Sequence, residues 1–239
     1  MQRHPRSQNT KTRKHHNTQT LKHINTNTTY NFIVIEGNIG AGKTTLATKI
    51  AQETNARLIL EQFADNPFLP KFYEDKEKYA FPLELSFLAE RYQQLKNELV
   101  KNDLFQPKIV SDYFFLKSLI FAKANLGENE YGLYTKLFHI INDSLPKPDI
   151  FVFLYHDIER LQENIRKRGR DYEQNISNEY LTTIQDAYFD FIKQLKDQRI
   201  LIIDVNNVDF ANNEAHYRKV VDLIQMPYES GITRISVQI

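Results

Sequence analysis

The sequence lacks several residue types and patterns whose absence excludes whole classes of protein. None of its 239 residues is Cys, which excludes a disulfide framework, a thiolate nucleophile and zinc or iron–sulfur sites held by Cys. No apolar run approaches the roughly 18 residues that a transmembrane helix needs. The charges nearly cancel, with 31 Lys and Arg against 30 Asp and Glu, so the net charge does not indicate binding to a polyanion. Gly is also scarce, at 7 residues, and three of these fall within six positions, which is the first strong sign of function.

The first 30 residues differ in composition from the rest of the chain. They contain six Lys and Arg, four His, eleven Asn and Thr, and no acidic residue. A segment with so few apolar residues cannot bury enough surface to offset the entropy lost on ordering, and it lacks the apolar stretch of a secretory signal peptide. We therefore expect a disordered polar and basic tail over residues 1–29, with a targeting segment or an electrostatic arm as alternatives. A single domain should follow over residues 30–226, and then a C-terminal tail over residues 227–239, for which an edge strand (232–239) is one interpretation.

From residue 30 onward, short apolar runs alternate with longer stretches of helical periodicity. Five runs predict strands buried on both faces: residues 32–35, 58–60, 109–110, 150–154 and 200–205. Helices are expected over residues 44–54, 83–100, segments up to about 144, the segment ending at 168, 177–196 and 213–225. Pro82 suits the start of the second of these helices, and Ser177 is a typical N-cap. The alternation predicts an α/β fold with a five-stranded parallel sheet and helices on both faces.

The clearest indication of function lies where the first predicted strand meets the first predicted helix. The residues there match the pattern G-x-x-x-x-G-K-[ST] in the strand–loop–helix context that it requires: Gly37, Asn38, Ile39, Gly40, Ala41, Gly42, Lys43, Thr44 and Thr45. Its glycines allow backbone N–H groups at a helix N-terminus to surround phosphate oxygens. Lys43 is expected to contact the β- and γ-phosphates, and the Thr44 hydroxyl group to help hold Mg²⁺. The loop therefore predicts binding of a nucleoside triphosphate.

Two acidic residues stand at the ends of predicted strands. Glu61 follows the second strand and Asp112 follows the third, and parallel-sheet enzymes bind ligands beyond the carboxyl ends of their strands. A carboxylate near the γ-phosphate can accept a proton from a hydroxyl group or hold Mg²⁺. Taken singly, each residue could equally well be a solvated strand end, so the residues alone leave both roles open.

Together these residues resemble the deoxyribonucleoside kinase family, which phosphorylates the 5′-hydroxyl group of deoxynucleosides. The resemblance covers residues 32–225 and is greatest to the bacterial, purine-directed branch. It is carried by residues 36–46 of the P-loop, Glu61, residues 73–91, residues 168–174 (Arg-Gly-Arg-Asp-Tyr-Glu-Gln) and residues 204–206. It implies a P-loop NTPase-like kinase with a short Arg-rich lid, ATP and Mg²⁺ as cofactors, and a homodimer.

The resemblance also implies roles for the residues of the acceptor site. Glu61 corresponds to the base that takes the 5′-hydroxyl proton as the γ-phosphoryl group moves. Tyr73 and Glu173 correspond to the pair that holds the 3′-hydroxyl group of the sugar. Asp112 keeps the acidic position after the third strand and is expected both in the acceptor site and as a contact of Mg²⁺ beside Thr44.

The lid and the ATP site are implied in the same way. Arg168 and Arg170 correspond to lid arginines that close over the phosphates and, with Lys43, neutralise the charge of the transition state. The crowding of basic residues around Gly169 agrees with this, since a Gly can act as a hinge. Position 164, often Arg in the family, is Asn here. The loop beside the adenine of ATP is represented by Asp204 and Asn206.

Two positions depart from the family pattern. On a helical projection Glu84 and Arg91 lie within about 20° of each other in the apolar half of their helix, where two charges must pair or face a ligand. The family has a base-reading Gln at the first position and an Arg at the second, so Arg91 fits and Glu84 departs. The family also has an Arg directly after Asp112, where this chain has Tyr113. Lys117, about one turn later, is the nearest residue that could replace its charge.

We therefore expect an ATP-dependent kinase that phosphorylates the 5′-hydroxyl group of deoxyadenosine or deoxyguanosine, which the sequence does not separate. Two alternatives remain: a kinase of the same architecture acting on a nucleoside monophosphate or another small hydroxyl compound, and a nucleotide-binding pseudokinase with a regulatory role. Glu61 with Tyr73 and Glu173 favours the first interpretation, because a monophosphate acceptor needs a basic group where a sugar hydroxyl group is read. The missing Arg favours the pseudokinase. We expect no nucleic acid or membrane partner and a cytoplasmic location.

Overall fold

The computed structural model describes residues 30–62, 66–99 and 108–238. Within these ranges one sheet contains β1 (Phe32–Gly37), β2 (Arg57–Ile59), β3 (Ile109–Ser111), β4 (Ile150–Tyr155), β5 (Arg199–Asp204) and β6 (Gly231–Ser236). The helices are α1 (Lys43–Thr54), α2 (Leu69–Glu74), α3 (Lys76–Leu99), α4 (Lys117–Asn125), α5 (Glu128–Asn142), α6 (Ile158–Arg168), α7 (Asn178–Ile192) and α8 (Glu214–Gln225), with a 3₁₀ turn at Asp171–Glu173. The predicted tail over residues 1–29 lies outside the described residues. Residues 100 and 239, the predicted ends of the helix over 83–100 and of the edge strand over 232–239, also lie outside them.

The order of the strands places the predicted site. All neighbouring strands are parallel, in the order β2-β3-β1-β4-β5-β6, and helices cover both faces, which confirms the predicted fold class. The chain leaves β1 towards one edge of the sheet, returns to β3 beside β1, and then crosses to β4 on the other side. Ligands of open α/β sheets bind at such a reversal, beyond the carboxyl ends of the strands. The P-loop follows β1 and Asp112 follows β3, so both lie at this point.

The predicted number of strands is wrong by one. The sixth strand, β6, pairs in parallel with β5 from Arg199↔Gly231 to Asp204↔Ser236 and forms an edge of the sheet. Its residues alternate between half-buried and exposed positions, as expected for an edge strand. It therefore lacks the continuous apolar run by which the five buried strands were identified.

The predicted start of α3 and the predicted end of α7 are also wrong. Helix α3 begins at Lys76, so Pro82 lies inside the helix rather than before it. An internal Pro removes one backbone hydrogen bond, but Ala80 and Leu83 on either side of it are buried in the core, and their packing outweighs the local preference. Helix α7 ends at Ile192 rather than at residue 196. Its start agrees with the prediction, since the Ser177 hydroxyl group accepts a hydrogen bond from the backbone N–H of Tyr180 at 3.2 Å.

A buried carboxylate connects the core to the P-loop. Glu36 is fully buried at the end of β1, and its Oε2 accepts a 2.9 Å hydrogen bond from the Tyr188 hydroxyl group of α7. Its Oε1 accepts a hydrogen bond from the backbone N–H of Phe114, at 3.0 Å. Burial raises the pKa of Glu36, against the opposing charges of Lys117 and Lys43. One side chain thus holds α7, β1 and the segment after β3 in a fixed arrangement beneath the site.

Within the ranges described above, no helix combines the length and the apolar character that crossing a bilayer requires.

Candidate active site

The P-loop has a backbone conformation that its glycines make accessible. Gly40 and Gly42 have φ angles of +84° and +83°, a region that side chains strongly disfavour. A Cβ atom on Gly40 would lie 2.8 Å from the carbonyl oxygen of Leu161 in α6, and one on Gly42 would lie 2.8 Å from the Phe210 ring. The loop is therefore enclosed by α6 on one side and by the segment before α8 on the other. It ends at the N-terminus of α1, where backbone N–H groups are free to bind an anion.

Lys43, the first residue of α1, is folded back onto the loop. Its Nζ donates to the carbonyl oxygens of Gly37 at 3.0 Å and Asn38 at 2.9 Å. Burial and the nearby charge of Lys117 lower the pKa of Lys43 to about 8. A phosphate group at the loop would relieve both effects, because it supplies the negative charge that the buried ammonium group lacks.

Thr44 and Asp112 meet across the switch point of the sheet. The Thr44 hydroxyl group donates to Asp112 Oδ2 at 2.5 Å, and Asp112 Oδ1 accepts from the backbone N–H of Glu61 at 2.8 Å. The pair offers a hydroxyl and a carboxylate oxygen, which are ligands of the kind that Mg²⁺ prefers. The described residues contain no cluster of three or more His, Cys, Asp or Glu side chains suited to a metal ion. Thr44 and Asp112 would fit an Mg²⁺ ion, because Mg²⁺ is commonly bound through one or two carboxylates together with substrate phosphates and water.

Glu61 is held by two cations. Its Oε1 accepts from Arg91 Nε at 2.9 Å and Nη2 at 2.7 Å, and its Oε2 accepts from Lys117 Nζ at 2.5 Å. Burial alone would raise the pKa of Glu61, but the charges of Lys117 and Arg91 outweigh it and lower the pKa to about 2. The carboxylate is therefore ionised and held in one orientation.

Glu84 is a buried carboxylate in a different situation. Its Oε1 accepts a 2.7 Å hydrogen bond from Asn125 Nδ2, while its Oε2 is buried without a hydrogen-bond partner among the described residues. Burial raises the pKa of Glu84 to about 7, with the charge of Arg91 acting in the opposite direction. Arg91 forms its ion pair with Glu61 rather than with Glu84. Of the two explanations for charges on this face of α3, facing a ligand therefore fits Glu84 better than pairing does.

The predicted lid residues contact a residue predicted to bind the acceptor sugar. Both arginines, Arg168 at the end of α6 and Arg170 just beyond it, form ion pairs with Glu173, which is itself buried. The ring of Tyr73 stacks on that of Tyr172 at 6.2 Å. Burial and the charge of Glu173 raise the pKa of Tyr73, so its hydroxyl group keeps its proton and can donate a hydrogen bond.

These side chains line two adjoining cavities. The first is lined by all six predicted acceptor-site residues: Glu61, Tyr73, Glu84, Arg91, Asp112 and Glu173. The second lies over the P-loop and is lined by Gly40, Ala41, Gly42, Thr45 and residues 208–212, among others. Four predicted residues line both cavities: Lys43, Thr44, Arg168 and Arg170.

Some predicted residues do not line the expected cavity. Ile39 lines the first cavity, whereas Gly37 and Asn38 line neither and instead accept hydrogen bonds from Lys43. Asn206 donates to Asp204 Oδ1 and accepts from the backbone N–H of Asp157, and neither Asp204 nor Asn206 lines the second cavity. Their role beside adenine stays a prediction, and residues 208–212 of the same loop are nearer to the P-loop.

The sequence reasoning missed several lining residues. Asn125, which orients Glu84, lies at the end of α4, and no spacing in the sequence links the two. Arg160 also lines the second cavity, four and eight residues before Asn164 and Arg168. Helical periodicity could have identified it on the same face of α6. Asn164 itself donates to the carbonyl oxygen of Gly40 at 2.9 Å, so it supports the P-loop where the family often has an Arg.

This chain is similar to several known proteins. A family model described as deoxynucleoside kinase matches residues 33–227. Deoxyguanosine kinase of Bacillus subtilis is 37% identical over 199 residues, which cover 80% of this chain and 95% of that protein. Deoxyadenosine kinase of Dictyostelium discoideum is 32% identical over 200 residues, which cover 83% of this chain and 79% of that protein. Among solved structures, deoxyadenosine kinase from M. mycoides with bound dATP has a TM-score of 0.69 at 26% identity and covers 81% of this chain and 99% of its own.

Proposed function

From the premise that this chain belongs to the deoxynucleoside kinase family and is a deoxynucleoside kinase, we propose that it transfers the γ-phosphoryl group of ATP to the 5′-hydroxyl group of a purine deoxyribonucleoside. One observation carries the proposal: the Glu61 carboxylate faces the acceptor cavity, while Lys43, Thr44 and two arginines line both cavities. A carboxylate that can receive a hydroxyl proton thus stands next to groups that can hold the phosphoryl group in transfer. This is the arrangement that phosphoryl transfer requires, since its catalysis is mostly positioning and electrostatic stabilisation.

Each residue then has a definite task. The P-loop backbone and Lys43 bind the β- and γ-phosphates of ATP in the second cavity. Glu61 orients the 5′-hydroxyl group towards the γ-phosphorus and receives its proton. Arg168 and Arg170 neutralise the charge that spreads over the equatorial oxygens. Tyr73 and Glu173 hold the sugar at the far end of the acceptor cavity.

Mg²⁺ belongs to the same proposal. Thr44 and Asp112 would hold the ion, because their oxygens meet where the γ-phosphate is expected. The ion supplies positive charge to the phosphate oxygens of the donor.

The purine preference rests on Glu84 and on the walls of the acceptor cavity. Phe87 and Phe121 line it with aromatic rings, and Glu84, an acceptor whose Oε2 has no hydrogen-bond partner among the described residues, lines it as well. Adenine offers an amino group to such an acceptor, and guanine offers two adjacent N–H donors. The relatives named above carry deoxyguanosine and deoxyadenosine in their names, which supports a purine.

Two further properties complete the proposal. We infer a homodimer, supported by three exposed apolar residues on α5, namely Leu133, Leu137 and Ile140, since exposed apolar clusters mark interaction surfaces. We also infer a cytoplasmic location, where ATP is available and where a chain without Cys loses nothing from a reducing environment.

An assay of ADP release tests the function. The purified protein is incubated with ATP, Mg²⁺ and each of the four deoxynucleosides, with deoxyadenosine and deoxyguanosine monophosphates as further acceptors. We expect turnover on one or both purine deoxynucleosides and none on the monophosphates, and we expect Lys43→Ala to fold but to lose turnover. A wild type without activity on any deoxynucleoside, or a Lys43→Ala variant near wild-type turnover, would contradict the assignment.

A further inference from the structure

Lys117 lies close to two buried carboxylates, Glu36 beneath the P-loop and Glu61 in the acceptor cavity. Lys117 is the group whose positive charge most lowers the pKa of both Glu36 and Glu61. Its side chain is buried at the start of α4 and lines the acceptor cavity.

The contacts of Glu61 distinguish its two oxygens. Each carboxylate oxygen offers about two positions for hydrogen bonds. Both positions of Oε1 are taken by Arg91, through Nε at 2.9 Å and Nη2 at 2.7 Å. Oε2 has one donor among the described residues, Lys117 Nζ at 2.5 Å. One position on Oε2 therefore stays available to a hydroxyl group in the cavity.

We propose that Lys117 is a positioning residue that fixes Oε2 of Glu61 as the atom receiving the proton of the acceptor hydroxyl group. This inference rests on the proposed function and adds to it the residue that aims the base. In the step, the hydroxyl oxygen forms a bond to the γ-phosphorus while its O–H bond breaks and the proton passes to Oε2. The bond from the γ-phosphorus to the bridging oxygen breaks, and its electron pair leaves with ADP.

The position of Lys117 suits this role. Arg91 is anchored a second time, through Nη1 to the Ser118 hydroxyl group at 3.1 Å, so it fixes Oε1 rigidly. The ammonium group of Lys117 also lies 5.3 Å from the centre of the Phe121 ring, which limits its freedom. With both ends held, the carboxylate plane cannot rotate, and a misplacement of about 1 Å at a reacting atom can cost about 10²-fold in rate.

A double-mutant cycle tests the proposal. Lys117→Met removes the charge and the donor at nearly constant length, and Lys117→Arg keeps both. Each is made in the wild type and in Glu61→Gln, whose side chain cannot accept the proton. Lys123→Met, at an exposed position of the same helix, is the matched control. The measured quantities are kcat, KM for the best deoxynucleoside, melting temperature and ADP binding.

We expect Lys117→Met to lower kcat by about 10²-fold with little change in KM, Lys117→Arg to restore most of kcat, and Lys123→Met to behave as the wild type. In the Glu61→Gln background Lys117→Met should cost little more, because two residues that act as a unit are not additive. A kcat loss in Lys117→Met that is equal in both backgrounds would overturn the proposal, since Lys117 would then act on the phosphate and not through Glu61. An unchanged kcat would overturn it as well.

Two safeguards keep these outcomes separate from other failures. If Lys117→Met does not fold, Lys117→Gln replaces it in the same cycle, since an amide also lacks the charge. If the wild type phosphorylates no deoxynucleoside, the proposed function fails, whereas an active wild type with an active Lys117→Met overturns the role of Lys117 alone.

Discussion

Glu61 and Glu84 are buried carboxylates in one cavity, yet their surroundings shift their pKa values in opposite directions. Two cations lower the pKa of Glu61 to about 2 although burial opposes them, whereas burial raises the pKa of Glu84 to about 7. At neutral pH Glu61 is therefore fully ionised, while Glu84 is close to its midpoint. Pairs of acids separated in this way commonly have different tasks in one site. In the proposed function Glu61 receives a proton and Glu84 reads the nucleobase.

The role of Glu61 as the general base can be tested by a substitution that keeps the shape of the side chain. Glu61→Gln can still hydrogen-bond but cannot accept a proton, so kcat should fall by roughly 10²–10⁴-fold, while substrate binding changes less. Steady-state kinetics with the best deoxynucleoside measure this. Asp112→Asn is the comparison, and an unaffected Glu61→Gln beside an inactive Asp112→Asn would mean that Asp112 is the base.

The preference among nucleobases should depend on Glu84. An ionised Glu84 accepts two hydrogen bonds and matches the adjacent N–H donors of guanine, whereas a Gln offers one donor and one acceptor and matches adenine. Since a mismatched buried hydrogen bond costs about 1–3 kcal/mol, Glu84→Gln should shift relative kcat/KM towards deoxyadenosine by roughly 5- to 150-fold. The four deoxynucleosides are compared for both proteins. Unchanged ratios would mean that Glu84 does not read the nucleobase and only pairs with Asn125.

The raised pKa of Glu84 also predicts a dependence of stability on pH. The folded state holds this proton more tightly than the unfolded chain, so the stabilisation is complete below pH 4.5 and is lost as the pH rises through about 7. The loss is on the order of 3 kcal/mol at most. Denaturant unfolding of the wild type relative to Glu84→Gln should therefore show the wild type losing stability between pH 4.5 and 8. A constant difference across that range would contradict the shift.

For single residues, the sequence predicted which positions form the site better than it predicted which residues contact one another. The P-loop, Glu61 and the lid arginines follow from local motifs and from the family resemblance, because each lies at a fixed place relative to a strand or helix. The partners of these residues come from distant segments. Lys117 was named only as the nearest available charge, and Asn125 was missed, because pairing across 41 residues depends on how α4 packs on α3.

At the level of elements, α6 packs closely against the P-loop. Two glycines allow the cost of backbone strain to be distinguished from the cost of a steric clash with α6. Gly40 and Gly169 both have positive φ, but a Cβ atom would meet the carbonyl oxygen of Leu161 at Gly40 and nothing within 4 Å at Gly169. We expect Gly169→Ala to cost about 1–2 kcal/mol of stability from backbone strain alone. Gly40→Ala should cost more and should also displace the loop and weaken ATP binding. Denaturation curves and nucleotide titrations of both variants test this, and equal effects of the two variants would contradict a tight contact with α6.

The misplaced elements show where sequence patterns lose information. Local preference places Pro82 at the start of a helix, but burial of Ala80 and Leu83 extends α3 backwards to Lys76. An edge strand was only one interpretation of residues 232–239, because β6 has no continuous apolar run and only its alternate residues are half-buried. In both cases a tertiary neighbour, the core for α3 and β5 for β6, determines the element, and a window of sequence does not contain that neighbour.

For the whole molecule, the strand order brings together residues that lie far apart in the sequence. Parallel strands β1, β2 and β3 end at one edge, which places Asp112 within hydrogen-bonding distance of the Thr44 hydroxyl group and of the backbone N–H of Glu61. Residues from α3, α4 and the lid then close the acceptor cavity around this edge. The fold class and this convergence were predictable, because parallel strands with helical crossovers can end only in this way.

An exposed apolar patch on α5 bears on whether the protein forms a homodimer. Leu133, Leu137 and Ile140 lie at spacings of four and three residues on α5 and are 51%, 37% and 78% exposed, while Tyr134 and Phe138 on its other side are buried. These residues are three of the four exposed large hydrophobic residues in the described part of the chain, and a two-fold interface would pair the patch with itself. Ile140→Glu would then place two like charges together and should convert the dimer to a folded monomer. Sedimentation velocity and circular dichroism measure this, with Ile232→Glu on β6 as a control that removes the fourth exposed apolar residue and should stay dimeric. A wild type that is monomeric at micromolar concentration would contradict the homodimer, and an Ile140→Glu variant that remains dimeric would place the interface elsewhere.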